Sequence, residues 1–91
     1  MTDHFHQMIN VAMQRAGKKP GDMCKIAVPI DTYKVEFFET QLPLHNFEVK
    51  NLGMLTPGVI VLRVDTTEPY RLATVLQALD TKVKKRKAEE N

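Results

Sequence analysis

Ninety-one residues with thirteen basic and eleven acidic side chains, a net charge of +2 and 43% hydrophobic content describe one small globular domain. No run approaches the roughly 18 apolar residues of a membrane-crossing helix, and the N-terminus lacks the pattern of a secretory signal, so a cytoplasmic protein with no membrane contact is expected. The single cysteine, Cys24, excludes an internal disulfide framework.

The charge is unevenly placed. Residues 1–65 hold seven basic and seven acidic side chains, whereas Lys82-Val83-Lys84-Lys85-Arg86-Lys87 holds five of the thirteen cations. The excess belongs to the C-terminal end, while a groove-reading nucleic-acid domain also carries cations across its folded face.

Thr2 or Asp3 can cap a first helix running to Ala16, with Phe5, Met8, Ile9, Ala12, Met13 and Ala16 on one side. Gly17 is its expected stop, and Arg15, Lys18 and Lys19 suit the negative end of the helix dipole. A turn over Lys19-Pro20-Gly21-Asp22 leads to a strand with Cys24, Ile26 and Val28 on one face, which Pro29 ends or marks as an edge. Tyr33 to Glu39 alternates, Tyr33, Val35 and Phe37 against Lys34, Glu36 and Phe38, and is predicted as a half-buried strand. Phe38 breaks the polar side of that alternation and is assigned to a contact with the first helix or a partner. Gln41 to Asn46 reads as a connection with Leu42 or Leu44 tucked inward.

Phe47 to Leu52 is a further predicted strand, with Phe47 and Val49 inward, Glu48 and Lys50 outward, and a turn or bulge at Asn51 and Gly53. Met54 and Leu55 precede a Pro57-Gly58 turn. The strongest strand signal, Val59 to Val64, is expected inside the sheet with both faces covered. A last helix is expected from a Thr66 or Thr67 cap, with Pro69 in its first turn and Leu72, Val75, Leu76, Leu79 and Val83 on one face. The result is an α+β two-layer sandwich: an N-terminal helix, a three- to four-stranded mostly antiparallel sheet and a C-terminal helix. Residues 1–83 form the domain, and 84–91 a basic then acidic flexible tail.

Chemistry-bearing motifs are scarce. His4, His6 and His45 match no ligand spacing with Cys24 or Asp22, so no metal is expected. Cys24 alternates in phase with Ile26 and Val28 and reads as a core thiol. No carboxylate pair, phosphate loop or nucleophile motif is present, so neither catalysis nor a cofactor is expected. Two features remain. Met8, Phe38, Met54 and Leu55 are candidates for a protein interface, since methionine adapts to irregular contacts. Lys82, Lys84, Lys85, Arg86 and Lys87 are candidates for sequence-blind phosphate contacts, although the same cluster serves equally as a solvated helix end, and no aromatic is interleaved for base stacking.

The leading expectation is therefore a small non-enzymatic protein-binding module, an adaptor, inhibitor or structural component that acts by self-association. The alternative is a nucleic-acid-associated protein using its basic end. A homodimer is expected, because Val59 to Val64 wants cover on both sides and two helices are few to supply it.

Overall fold

The computed structural model describes residues 4–90, with side chains for residues 4–85; Thr2 and Asp3, the expected caps of the first helix, lie outside the described residues. In chain order the elements are α1 (His4–Ala16), β1 (Cys24–Asp31), α2 (Thr32–Leu44), β2 (Glu48–Thr56), β3 (Val59–Thr66) and α3 (Pro69–Glu90). The fold is α+β, with helices at both ends of the chain and a three-stranded antiparallel sheet.

α1 buries Phe5, Ile9 and Met13, successive four-residue steps along one helix face. It ends where Gly17 takes a φ of 65°, so that the Gly17 amide reaches the Gln14 carbonyl and the Lys18 amide the Met13 carbonyl. That pair of bonds satisfies carbonyls the last turn would leave bare.

β1 shows strict alternation: Cys24, Ile26, Val28 and Ile30 are buried, and Lys25, Ala27, Pro29 and Asp31 exposed. Pro29 lies within this strand, and β1 is an edge, since the strand order is β1-β3-β2.

The segment predicted as a strand from Tyr33 to Glu39 is instead the middle of α2. Val35, Phe38 and Leu42 are its buried residues, spaced three and four apart, and Phe38 and Leu42 are fully enclosed. Tyr33, on the supposed inner face of the strand, is 54% exposed. A helix buries Val35 and Phe38 together, which an alternating strand cannot do. The expected connection at Gln41 to Asn46 is the end of this helix and its stop. Asn46 adopts a φ of 66°, and the Asn46 and Phe47 amides bond the Pro43 and Leu42 carbonyls. Asparagine thus takes the left-handed position that glycine takes after α1.

β2 and β3 form a hairpin around Pro57-Gly58, with Thr56 opposite Val59 and Gly58 at a φ of 87°. The irregularity expected near Asn51 and Gly53 is present as register shifts between Asn51, Met54 and Thr56. β1 and β2 run parallel on either side of antiparallel β3, joined through α2, a split βαβ unit.

α3 begins at Pro69, where the missing amide is no loss, and the Thr66 hydroxyl accepts from the Glu68 amide just before it. Leu72, Leu76 and Leu79 are at most 1% exposed, and enclosing each contributes about 1.5–3 kcal/mol. Val83 closes the stripe at 8%. The helical backbone continues past Lys84 to Glu90.

All three helices share one core with Ile26, Val28, Ile30, Leu62 and Val64, and therefore cover the same face of the sheet. The expectation that β3 is covered on both faces holds for one only. Leu62 and Val64 are buried, while Val59, Val61, Arg63 and Asp65 on the other face are only partly so.

Candidate functional site

Two features stand out once the core is set aside. The first is a cleft of about 390 Å³ lined by His4, Phe5, Pro29, Asp31, Gln77 and a charged trio, Lys34, Asp80 and Lys84. The strand-to-helix turn at Asp31 places Lys34 in the first turn of α2, facing the outer half of α3. There the Lys34 ammonium donates to one Asp80 oxygen at 2.8 Å, and Lys84 reaches the other at 3.0 Å. Asp31 sits 3.7 Å from the same ammonium.

Burial alone would push the Asp80 carboxyl up, but hydrogen bonds from Lys34 and Lys84, with their charges, hold it below the ordinary carboxylate value. Burial would likewise lower Lys34, yet the hydrogen bond to Asp80 and the neighbouring negative groups keep it above the ordinary lysine value. A lysine held protonated is a poor nucleophile and base. No buried side-chain nitrogen or oxygen among the described residues lacks a hydrogen-bond partner. The arrangement clamps α2 to α3 and engages both carboxylate oxygens of Asp80.

The second feature is the uncovered face of the sheet. Strand register puts Lys25, Asp65 and Glu48 in one row, Ala27, Arg63 and Lys50 in the next, then Pro29 beside Val61, and last Asp31, Val59 and Thr56. Directly paired residues share a face, so these side chains stand together on the side away from the helices. One end is charged, and toward the other Pro29, Val61 and Val59 form an apolar strip flanked by Asp31 and Thr56. Within the charged end, Arg63 bonds Asp65 on its own strand at 3.2 Å.

The expected interface residues are dispersed. Met54 and Leu55 are 64% and 65% exposed at the hairpin end of β2. Met8 is half-buried against the core in the helical layer. Phe38 is fully enclosed and removed from any surface of the folded chain, because α2 turns it inward. Among the basic residues, Lys82 and Lys85 are exposed, and Lys84 is engaged by Asp80; Arg86 and Lys87 lie beyond the described side chains.

The histidines do not meet. His4 packs edge-on against Phe5, His6 lies 3.4 Å from the Thr74 hydroxyl, and the His45 carbonyl accepts from Arg71. Among the described residues no three His, Cys, Asp or Glu side chains gather closely enough to hold a metal ion. Cys24 is buried, its sulfur 3.3 Å from that of Met13 and 3.2 Å from the Asp22 carbonyl oxygen.

The clamp was legible only in part. Asp80 and Lys84 are four apart on a helix, a pairing visible in the sequence. Lys34 was hidden because its segment reads as a strand. Comparison with known protein families, characterised proteins and solved structures found no match.

Proposed function

We propose that this chain is a small non-enzymatic protein-binding module, an adaptor, inhibitor or structural component, that acts by self-association. The observation carrying this reading is the sheet face left bare by three helices that all pack on the other side, with Val59, Val61 and Pro29 toward one end of it. Met54 and Leu55 are also exposed at the hairpin, where Met54 pairs with Ile60 on the helix side of the sheet. The cleft supports a binding rather than a chemical role, since Lys34, Asp80 and Lys84 hold one another. Among the described residues no helix is long and apolar enough to cross a membrane. The free, buried thiol of Cys24 suits a reducing compartment, which makes the cytoplasm the proposed location.

Sedimentation equilibrium at micromolar concentration tests the reading. A species of twice the 10.4 kDa chain mass is expected, and a 10.4 kDa species at every concentration up to the millimolar range overturns it.

A second reading, nucleic-acid association through the C-terminal end, has one observation in its favour. α3 continues past its last buried residue, Val83, and presents Lys82 and Lys85 to solvent. Engagement of Lys84 by Asp80 weakens it. If the end binds phosphate through about four cations, affinity for a DNA oligonucleotide falls roughly 100-fold between 50 and 200 mM salt. Replacing Lys82, Lys84, Lys85, Arg86 and Lys87 by glutamine then abolishes binding. Truncation is the poorer test, because Val83 belongs to the core. No binding at 50 mM salt eliminates this reading.

A further inference from the structure

The outer strands of the bare sheet face carry charges that are complementary to each other across β3. Lys25 on β1 and Glu48 on β2 flank Asp65 on β3, one on each side of the central strand. Arg63 and Asp65 satisfy each other along β3. Lys25 and Glu48, both exposed, have no ion pair or hydrogen bond of their side chains among the described residues. A cation and an anion are thus left open at mirrored positions about β3.

We infer that a second copy of this chain docks face to face on the sheet, with a two-fold axis running along β3, so that Lys25 of each copy meets the partner's Glu48. This inference rests on the self-association reading above and names its surface and geometry. Rotation about an axis along the central strand lays β1 of one copy over β2 of the other. It pairs Lys25 with Glu48 twice and sets Val59 and Val61 against their own counterparts; on the axis Arg63 and Asp65 also face their own counterparts, each neutralised by the other along its own strand. Such an interface is isologous, the commonest arrangement of homodimers, and the sheets pack about 10 Å apart with strands roughly aligned.

Two features of the face favour this occupant over a nucleic acid. Lys25, Lys50 and Arg63 are largely offset by Glu48 and Asp65, with Asp31 turned to Lys34, so the face offers a polyanion little net attraction. It also carries no aromatic side chain in any paired row, and bases would find nothing to stack on. Open, complementary charges on the outer strands beside an apolar strip fit protein association and its specificity.

The test is a charge swap read by sedimentation equilibrium at low and high salt, with far-ultraviolet circular dichroism to show that each variant folds. Both positions are exposed, so the fold is expected to survive. Lys25→Glu and Glu48→Lys each weaken the dimer at least tenfold, because each brings like charges together twice. The double variant, with the charges exchanged, recovers dimerisation to within a few-fold of the parent. A parent dimer that the single variants leave intact, or a double variant no better than the singles combined, overturns this geometry while self-association stands. A parent chain that stays monomeric overturns both.

Discussion

Replacing Phe38 with alanine is expected to remove about 3–5 kcal/mol of folding stability. Its ring is fully enclosed in the shared core, where it meets Phe37 edge-on at 6.3 Å between ring centres. Truncation leaves a void between α2 and the sheet that a backbone held at both ends cannot close. α2 is fixed at its start by the bond from the Thr32 amide to the Gly58 carbonyl and at its end by the Asn46 stop. A domain of this size has about 5–15 kcal/mol in all, so the variant sits near its unfolding threshold. Urea denaturation followed by circular dichroism measures the loss. A variant that keeps its stability but no longer associates would instead return Phe38 to a surface.

The second large effect is expected at Asp80. Asp80→Asn keeps the shape but removes the charge that holds the nearly buried Lys34, whose side chain is 13% exposed. Breaking a buried pair from one side costs about 3–5 kcal/mol; beside an open cleft the lower end, about 3 kcal/mol, is expected. Removing Lys84 costs far less, since its side chain is 67% exposed and water screens it.

The dependence on pH follows from the direction of the shifts. The folded state holds the Asp80 carboxyl below the usual 3.8, so its contribution is present above that value and is lost as pH falls through the folded one. Lys34 is held above 10.5, so its contribution is present below 10.5 and is lost as pH rises through the folded value. The stability gap between parent and Asp80→Asn is therefore constant from about pH 5 to 9 and narrows at both extremes. Urea titrations at pH 7, 5 and 3 measure it. A gap that is unchanged at pH 3 and below would show that ionisation of Asp80 is not its source.

The end and apolar face of α1, the edge character of β1, the β2–β3 hairpin and the apolar stripe of α3 were readable because each buries one face along a single period. Phe47 and Val49 alternate with Glu48 and Lys50, and Leu72, Leu76, Leu79 and Val83 follow the helical step. α2 was misread for a physical reason. Six residues of Tyr33 to Phe38 alternate well enough to pass for a strand, and only Phe38 dissents. Taken with Val35 and Leu42, that dissent is the helical spacing, and it becomes visible when the window extends past the alternating run.

What the sequence determined by itself was local: which segments repeat with which period, where Gly17 and Gly58 turn the chain, and that the body of the protein is electrically balanced. The tertiary structure decided what those segments meet. Lys34 finds Asp80 forty-six residues away only because α2 and α3 lie side by side on the sheet. Lys25 and Glu48 stand on opposite sides of Asp65 only because β3 inserts between β1 and β2. Three helices on one face leave the other bare, an outcome of how they share a core that no single period along the chain encodes.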